Sequence, residues 1–188
     1  MNLSYHPSNH VLEILKREPE TNVQFSIYKY HPQTVLDERT IIEVSSRSID
    51  FSWVKEKISS LRSDEELAFH SVYKKGRNIY HIPMIDLNCP PNELVLAKSK
   101  LAKILPHHIF AGLVFYDSGR SLHAYGSTAL KNKEWIQFMG RLLLVNHPEE
   151  PTVIDTRWIG HRLLGGYSSL RWSSNSGMYL KIPQIIHM

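Results

Sequence analysis

The chain has 188 residues, enough for one domain with a substantial core, and at 42% hydrophobic and 21% charged its makeup is that of a soluble globular protein. A formal charge of +4 and a pI near 9.1 permit contact with nucleic acid or nucleotides without demanding it. The one cysteine, Cys89, excludes an intrachain disulfide and a multi-cysteine metal cluster. The polar opening MNLSYHPSNH and the lack of any apolar run near ~18 residues give the expectation of a soluble, cytoplasmic protein with no membrane segment.

In chain order, Ser8 to Lys16 reads as a short helix with Val11, Leu12 and Leu15 on one side and Ser8 or Asn9 as its cap. Val23 to Tyr30 and Thr40 to Ser45 alternate as strands, and Ile49 to Leu61 returns to helical spacing through Phe51, Val54, Ile58 and Leu61. Asp64 to Glu66 breaks the pattern. Leu67 to Tyr73 and Ile79 to Leu87 then read as two strands about a Lys-Lys-Gly-Arg turn. Pro90 and Pro91 stop the second strand, and Glu93 to Leu105 forms a helix with Leu94, Ala97, Leu101 and Ile104 at core spacing. His107 and His108 follow at that helix's end, where positive charge is favoured.

Ile109 to Phe115 is a near-continuous apolar run, suited to a strand buried on both faces. A polar turn and a short strand, Ser121 to Tyr125, come next, then a buried helix over Trp135 to Val145 and a last core strand, Thr152 to Ile154. From Ile79 to Asp155 the order strand, helix, strand, strand, helix, strand is that of a ferredoxin-like or RNA-recognition-like core, an α+β arrangement.

Three stretches carry polar groups suited to chemistry. In IPMIDLN, strand alternation puts Tyr80, Ile82, Met84, Asp86 and Asn88 on one side, so that Asp86 and Asn88 offer adjacent oxygen donors of the kind Mg²⁺ and Mn²⁺ favour. The plainer reading is an Asp that precedes a turn. In YDSGRSLHAYG, Ser121, His123 and Tyr125 share a face, and the preceding turn supplies backbone N–H groups, a hydroxyl and the Arg120 fork, a combination that holds polyphosphate. The plainer reading is a surface hairpin. In VIDTRWIGHRLLGGYSSLRWSSNSG, Asp155 closes a strand and is followed by Arg157, His161, Arg162 and Arg171; a solvated basic loop and an anion-binding segment both fit.

Together and in this order, the segments resemble the archaeo-eukaryotic primase superfamily of small primase subunits and primase-polymerases. MIDLN, ending in Asp86 and Asn88, resembles its hydrophobic strand closing on Asp-x-Asp or Asp-x-Glu. SGRSLH, Ser118 to His123, resembles its Ser-Gly-x-x-x-His motif, and Asp155 its strand-ending Asp, with Arg162-Leu-Leu and Ser-Ser-Leu-Arg171 behind it. The spacings, 37 residues from Asp86 to His123 and 32 from there to Asp155, are compatible. The likeness spans about Ile79 to Pro183.

The resemblance implies a single domain over 1–188, with residues 1–66 as an N-terminal α/β unit and 67–188 as the RNA-recognition-like catalytic core. It implies a primase-polymerase-like nucleotidyltransferase that takes nucleoside triphosphates on single-stranded or primed nucleic acid, with an accessory protein subunit as a plausible partner. Catalysis would fall to Asp86, Asp155 and His123. Mg²⁺ or Mn²⁺ would be held by Asp86, Asn88 and Asp155. The nucleotide would be gripped by Ser118, Gly119, Arg120, His123, Arg162 and Arg171, and a template strand served by Trp158, Tyr167 and Trp172.

Asn88 departs from the pattern, because an amide there removes one negative charge from the site. A catalytically weakened nucleotide-binding protein within a larger complex is therefore the alternative. Asp117 is the one obvious local carboxylate to fill in, but strand alternation gives it no assured place in the site. A rolling-circle nickase, with a related fold, needs a His-x-His pair that this sequence lacks.

Overall fold

A computed structural model describes residues 3–186 apart from residues 19, 32, 33, 35 and 36. In chain order its helices are α1 (Ser8–Lys16), α2 (Phe51–Ser59), α3 (Leu94–Ile104), the single turn α4 (His107–Phe110), α5 (Asn132–Leu143) and α6 (Thr156–Gly165). The strands are β1 (Thr21–Tyr28), β2 (Arg39–Ser45), β3 (Glu66–Lys75), β4 (Asn78–His81), β5 (Met84–Leu87), β6 (Val114–Asp117), β7 (Leu122–Tyr125), β8 (Leu130–Lys131), β9 (Ser169–Arg171) and β10 (Gln184–Ile185). The class is mixed α+β, as expected. No helix among the described residues is long and apolar enough to cross a membrane.

Two antiparallel sheets organise the molecule. The first runs β2-β1-β3-β4-β8, and the long strand β3 also pairs with β9 along Ala68 to His70. The second runs β10-β6-β7-β5, and an antiparallel bridge from Leu87 to Ile154 adds a further neighbour beyond β5. Counting β5, β6, β7 and the bridge segment as first to fourth, the spatial order is fourth, first, third, second, the ferredoxin-like order anticipated from the sequence.

Both faces of the second sheet are covered, which is why all four residues of β7 are buried. On one face Ile85, Leu87, Phe115, Leu122 and Ala124 pack with Leu101 of α3, Phe138 of α5 and Ile159 of α6. On the other, Met84, Tyr116 and Tyr125 meet Phe25, Phe69 and Trp172 of the core beneath the first sheet. Asp86 and His123 belong to this second face by strand alternation. Where the apolar contact between the sheets gives out, a polar cleft opens.

Several sequence expectations change. The strand expected over Ile79 to Leu87 is two strands in different sheets, broken at Ile82 and Pro83; proline has no N–H for a ladder, and the chain crosses between sheets there. Ile109 to Phe115 is not one strand. Pro106 precedes a helical turn whose Ile109 and Phe110 amides both bond the Pro106 carbonyl, and the strand begins only at Val114. His107 and His108 accordingly open α4 rather than close α3. Thr152 to Ile154 makes only the single bridge. Neither Ser8 nor Asn9 caps α1: Pro7 precedes it without a side-chain bond, while Ser8 Oγ pairs with His6.

Candidate functional site

The floor of the cleft follows from strand register. Asp86 of β5 lies directly across from His123 of β7, whose own neighbour on β6 is Tyr116. His123 Nε2 is 3.8 Å from Asp86 Oδ1. The imidazole is buried, and its Nδ1 finds no partner among the described residues. Burial first, and then the positive charge of Arg171, hold its pKa well below 6.5, so the ring is neutral.

Asp155 reaches the same place through the backbone. Its amide donates to the Asp86 carbonyl at 3.2 Å and the Asn88 amide to the Val153 carbonyl at 2.9 Å, fixing one strand end beside the other. Asp155 Oδ1 accepts from the Trp158 amide at 2.9 Å and caps α6, a setting that favours a negative charge. Burial, and secondly the charge of Asp155, push the Asp86 pKa from 3.8 up to about 8, against the opposing pull of Arg171 and Arg162.

Two carboxylates that repel each other, with the Asn88 amide nearby on the lining, make an oxygen donor set that suits a hard divalent cation, whose charge would relieve that repulsion. Among the described residues no group of three or more His, Cys, Asp or Glu side chains is placed to hold a metal, so the amide would complete the set.

The polar turn between β6 and β7 is held from within. Ser118 N and Oγ both donate to the Ser121 carbonyl, at 3.0 and 2.9 Å. Gly119, at φ 114°, donates its amide to Asp117 Oδ1 at 2.8 Å, and Asp117 also binds Lys181. Asp117 is thus committed to the turn and does not replace the carboxylate missing at position 88. Arg120 is exposed and makes no hydrogen bond or ion pair among the described residues, so its guanidinium is open to a ligand.

Arg162 and Arg171 are differently placed. Arg171 is buried; it donates to the carbonyls of Ser173, Lys181 and Ser118, and its guanidinium lies 3.9 Å from the Tyr179 ring centroid. It ties the turn to the 173–181 segment. Arg162 binds Ser169 Oγ and Asp37, leaving Nε without a partner among the described residues. Asp37 also takes Arg39 at 2.8 Å; burial raises its pKa, but the two arginines outweigh that and lower it. Of the aromatic residues expected to serve a template, Trp172 is fully buried and Tyr167 stacks on His70 at 4.1 Å. Trp158 is half-buried on the lining.

Apart from Gly119, every residue expected to bind metal or nucleotide lines one cleft of about 820 Å³. Sequence reasoning missed Asp37, whose partner Arg162 is remote in the chain, Arg39, which shares that carboxylate, and Tyr30 and Tyr179, neither of which any motif singles out. Residues 45–184 match the model of the archaeo-eukaryotic primase 1D-like family. Neither the curated proteins nor the solved structures include a match.

Proposed function

The chain belongs to the archaeo-eukaryotic primase 1D-like family, and from that premise we propose that it is a primase-polymerase-like nucleotidyltransferase, binding a nucleoside triphosphate with Mg²⁺ or Mn²⁺ and acting on a nucleic-acid template. The observation that carries this reading is the meeting of Asp86, Asp155 and His123, distant in sequence, on one wall of a cleft that also holds Arg120. Asp86 and Asp155 would hold the cation, with the Asn88 amide as a weaker third donor. When bound, such a cation would supply charge neutralisation at the phosphates and Lewis acidity toward the attacking hydroxyl.

The chain's own contribution is positioning. Arg120 offers a planar fork of donors to the phosphates. Neutral His123 donates one ring N–H to a phosphate oxygen, carrying no charge that would compete with the cation. Arg171 and Arg162 commit donors to the fold, fixing the turn and the α6 wall, while adding positive potential to the cleft.

A second reading, binding without turnover, is favoured by Asn88 and by the commitment of Asp117 to Gly119 and Lys181. One experiment separates them: labelled-nucleotide incorporation on single-stranded template with each metal, beside calorimetry of nucleotide binding, for wild type and Asn88→Asp. Product from the wild type supports the enzyme. Binding without product, with product from Asn88→Asp, selects the binding module. Folded protein that neither binds nor incorporates nucleotide refutes both.

A further inference from the structure

One part of the cleft rim is not accounted for by metal or phosphate. Tyr30, two residues past the end of β1, is 44% exposed and has no hydrogen bond among the described residues. The ring it meets belongs to Tyr179, 5.6 Å away between centroids and tilted by 49°. Met178 and Leu180, flanking Tyr179, are 42% and 67% exposed on the same lining. Apolar and aromatic surface left open beside a basic, polar cleft calls for a flat, partly apolar ligand.

The seat is also built rigidly. Tyr179 packs one face on the Arg171 guanidinium, and its hydroxyl is 3.5 Å from that of Tyr28. The segment that carries it is anchored by Glu66, a fully buried carboxylate. Glu66 accepts from the amides of Asn175 and Ser176 at 2.9 and 2.8 Å, from Ser176 Oγ at 2.6 Å and from Ser173 Oγ. Arg171 joins this seat to the polar turn, because the guanidinium beneath Tyr179 also donates to the Ser118 carbonyl.

We propose that Tyr30 and Tyr179 form a stacking seat for a nucleobase, an inference that rests on the nucleotide reading of the cleft and adds to it the part of the ligand that the carboxylates and Arg120 do not touch. Tyr30 precedes the residues matched to the family, so the seat is drawn from this chain's own geometry. The base comes either from a free nucleotide whose phosphates lie at the turn or from a single strand crossing the rim; both present the same π face.

The test measures Tyr30→Ala and Tyr30→Trp against wild type with four probes: ATP, inorganic triphosphate, a labelled oligothymidylate and an abasic oligonucleotide of the same length. Tyr30→Ala is expected to weaken a base-bearing probe by about tenfold while its baseless counterpart is unchanged, with Tyr30→Trp restoring the loss. Loss on ATP assigns the seat to the nucleotide, and loss on oligothymidylate assigns it to the strand. If both base-bearing probes bind Tyr30→Ala as they bind wild type, or if baseless probes weaken equally, the seat is refuted while the nucleotide reading stands. If wild type binds none of the four, the nucleotide reading falls and the seat with it.

Discussion

Replacing Asp86 by Asn tests the electrostatics of the cleft floor without changing its shape. The folded pKa of about 8 lies roughly four pH units above the ordinary 3.8, and at ~1.4 kcal/mol for each the full effect is ~6 kcal/mol. The Asp86 side chain keeps a quarter of its surface open to solvent, which reduces the expectation to ~2–3 kcal/mol. The sign follows from proton counting. Below about pH 4 both folded and unfolded chains hold the proton and the group has no effect. Between there and about pH 8 the folded state keeps a proton that the unfolded state has lost, so stability falls as pH rises; above that the deficit is constant.

The amide variant has no titrating group at this position. Urea unfolding in chelator should therefore show Asp86→Asn and wild type nearly equal at about pH 4 and below, with the variant increasingly the more stable from there toward mild alkali. Adding Mn²⁺ in mild alkali should then raise wild type and leave the variant where it was. A stability difference independent of pH would refute the assignment of a strained carboxyl at this position.

Arg171→Lys leaves the charge but cannot reach the carbonyls of Ser118, Ser173 and Lys181 at once; a loss of ~2–4 kcal/mol in unfolding free energy is expected, where a pure phosphate ligand would cost the apo protein nothing. Glu66→Gln exchanges a carboxylate acceptor for an amide with one acceptor oxygen, so the Asn175 and Ser176 amides should exchange hydrogen markedly faster by NMR, with a stability loss of ~1–3 kcal/mol; unchanged exchange would show that the loop does not depend on this anchor. Gly119→Ala forces a side chain into φ 114° and brings its Cβ to 3.1 Å from Leu180 Cβ, which should cost ~1–2 kcal/mol by thermal unfolding and weaken nucleotide binding through the turn.

What could be read from the sequence was local and periodic. Alternation placed Asp86 and His123 on usable faces, and the register of β5 with β7 turned that into a direct pair. The same alternation concealed the break at Pro83. Tyr80, Ile82 and Met84 all face one core, so the parity of the pattern survives a change of sheet. The partners that decide what the arginines do are far along the chain: Asp37 lies 125 residues from Arg162, and Ser118 53 from Arg171. No spacing rule reaches such distances. Glu66, read only as the end of a pattern break, is the clearest case, because the donors that justify burying it arrive 107 to 110 residues later.

These pairings alter how the cleft can hold an anion. Arg39 and Arg162 share Asp37, and Arg171 commits donors to backbone carbonyls, so of the three arginines first expected in the grip only Arg120 has its guanidinium free among the described residues. A triphosphate entering without a cation would meet one open arginine and, in mild alkali where Asp86 has lost its proton, two carboxylates of its own sign. Nucleotide and cation must therefore strengthen each other's binding by the same factor, since the coupling free energy is shared. Asn88 acts on both sides of that balance. It weakens the anchoring of the cation, yet it also removes a charge that would repel the phosphates. Aspartate at position 88 should accordingly favour nucleotide binding only where the cation is present, and oppose it where the cation is withheld.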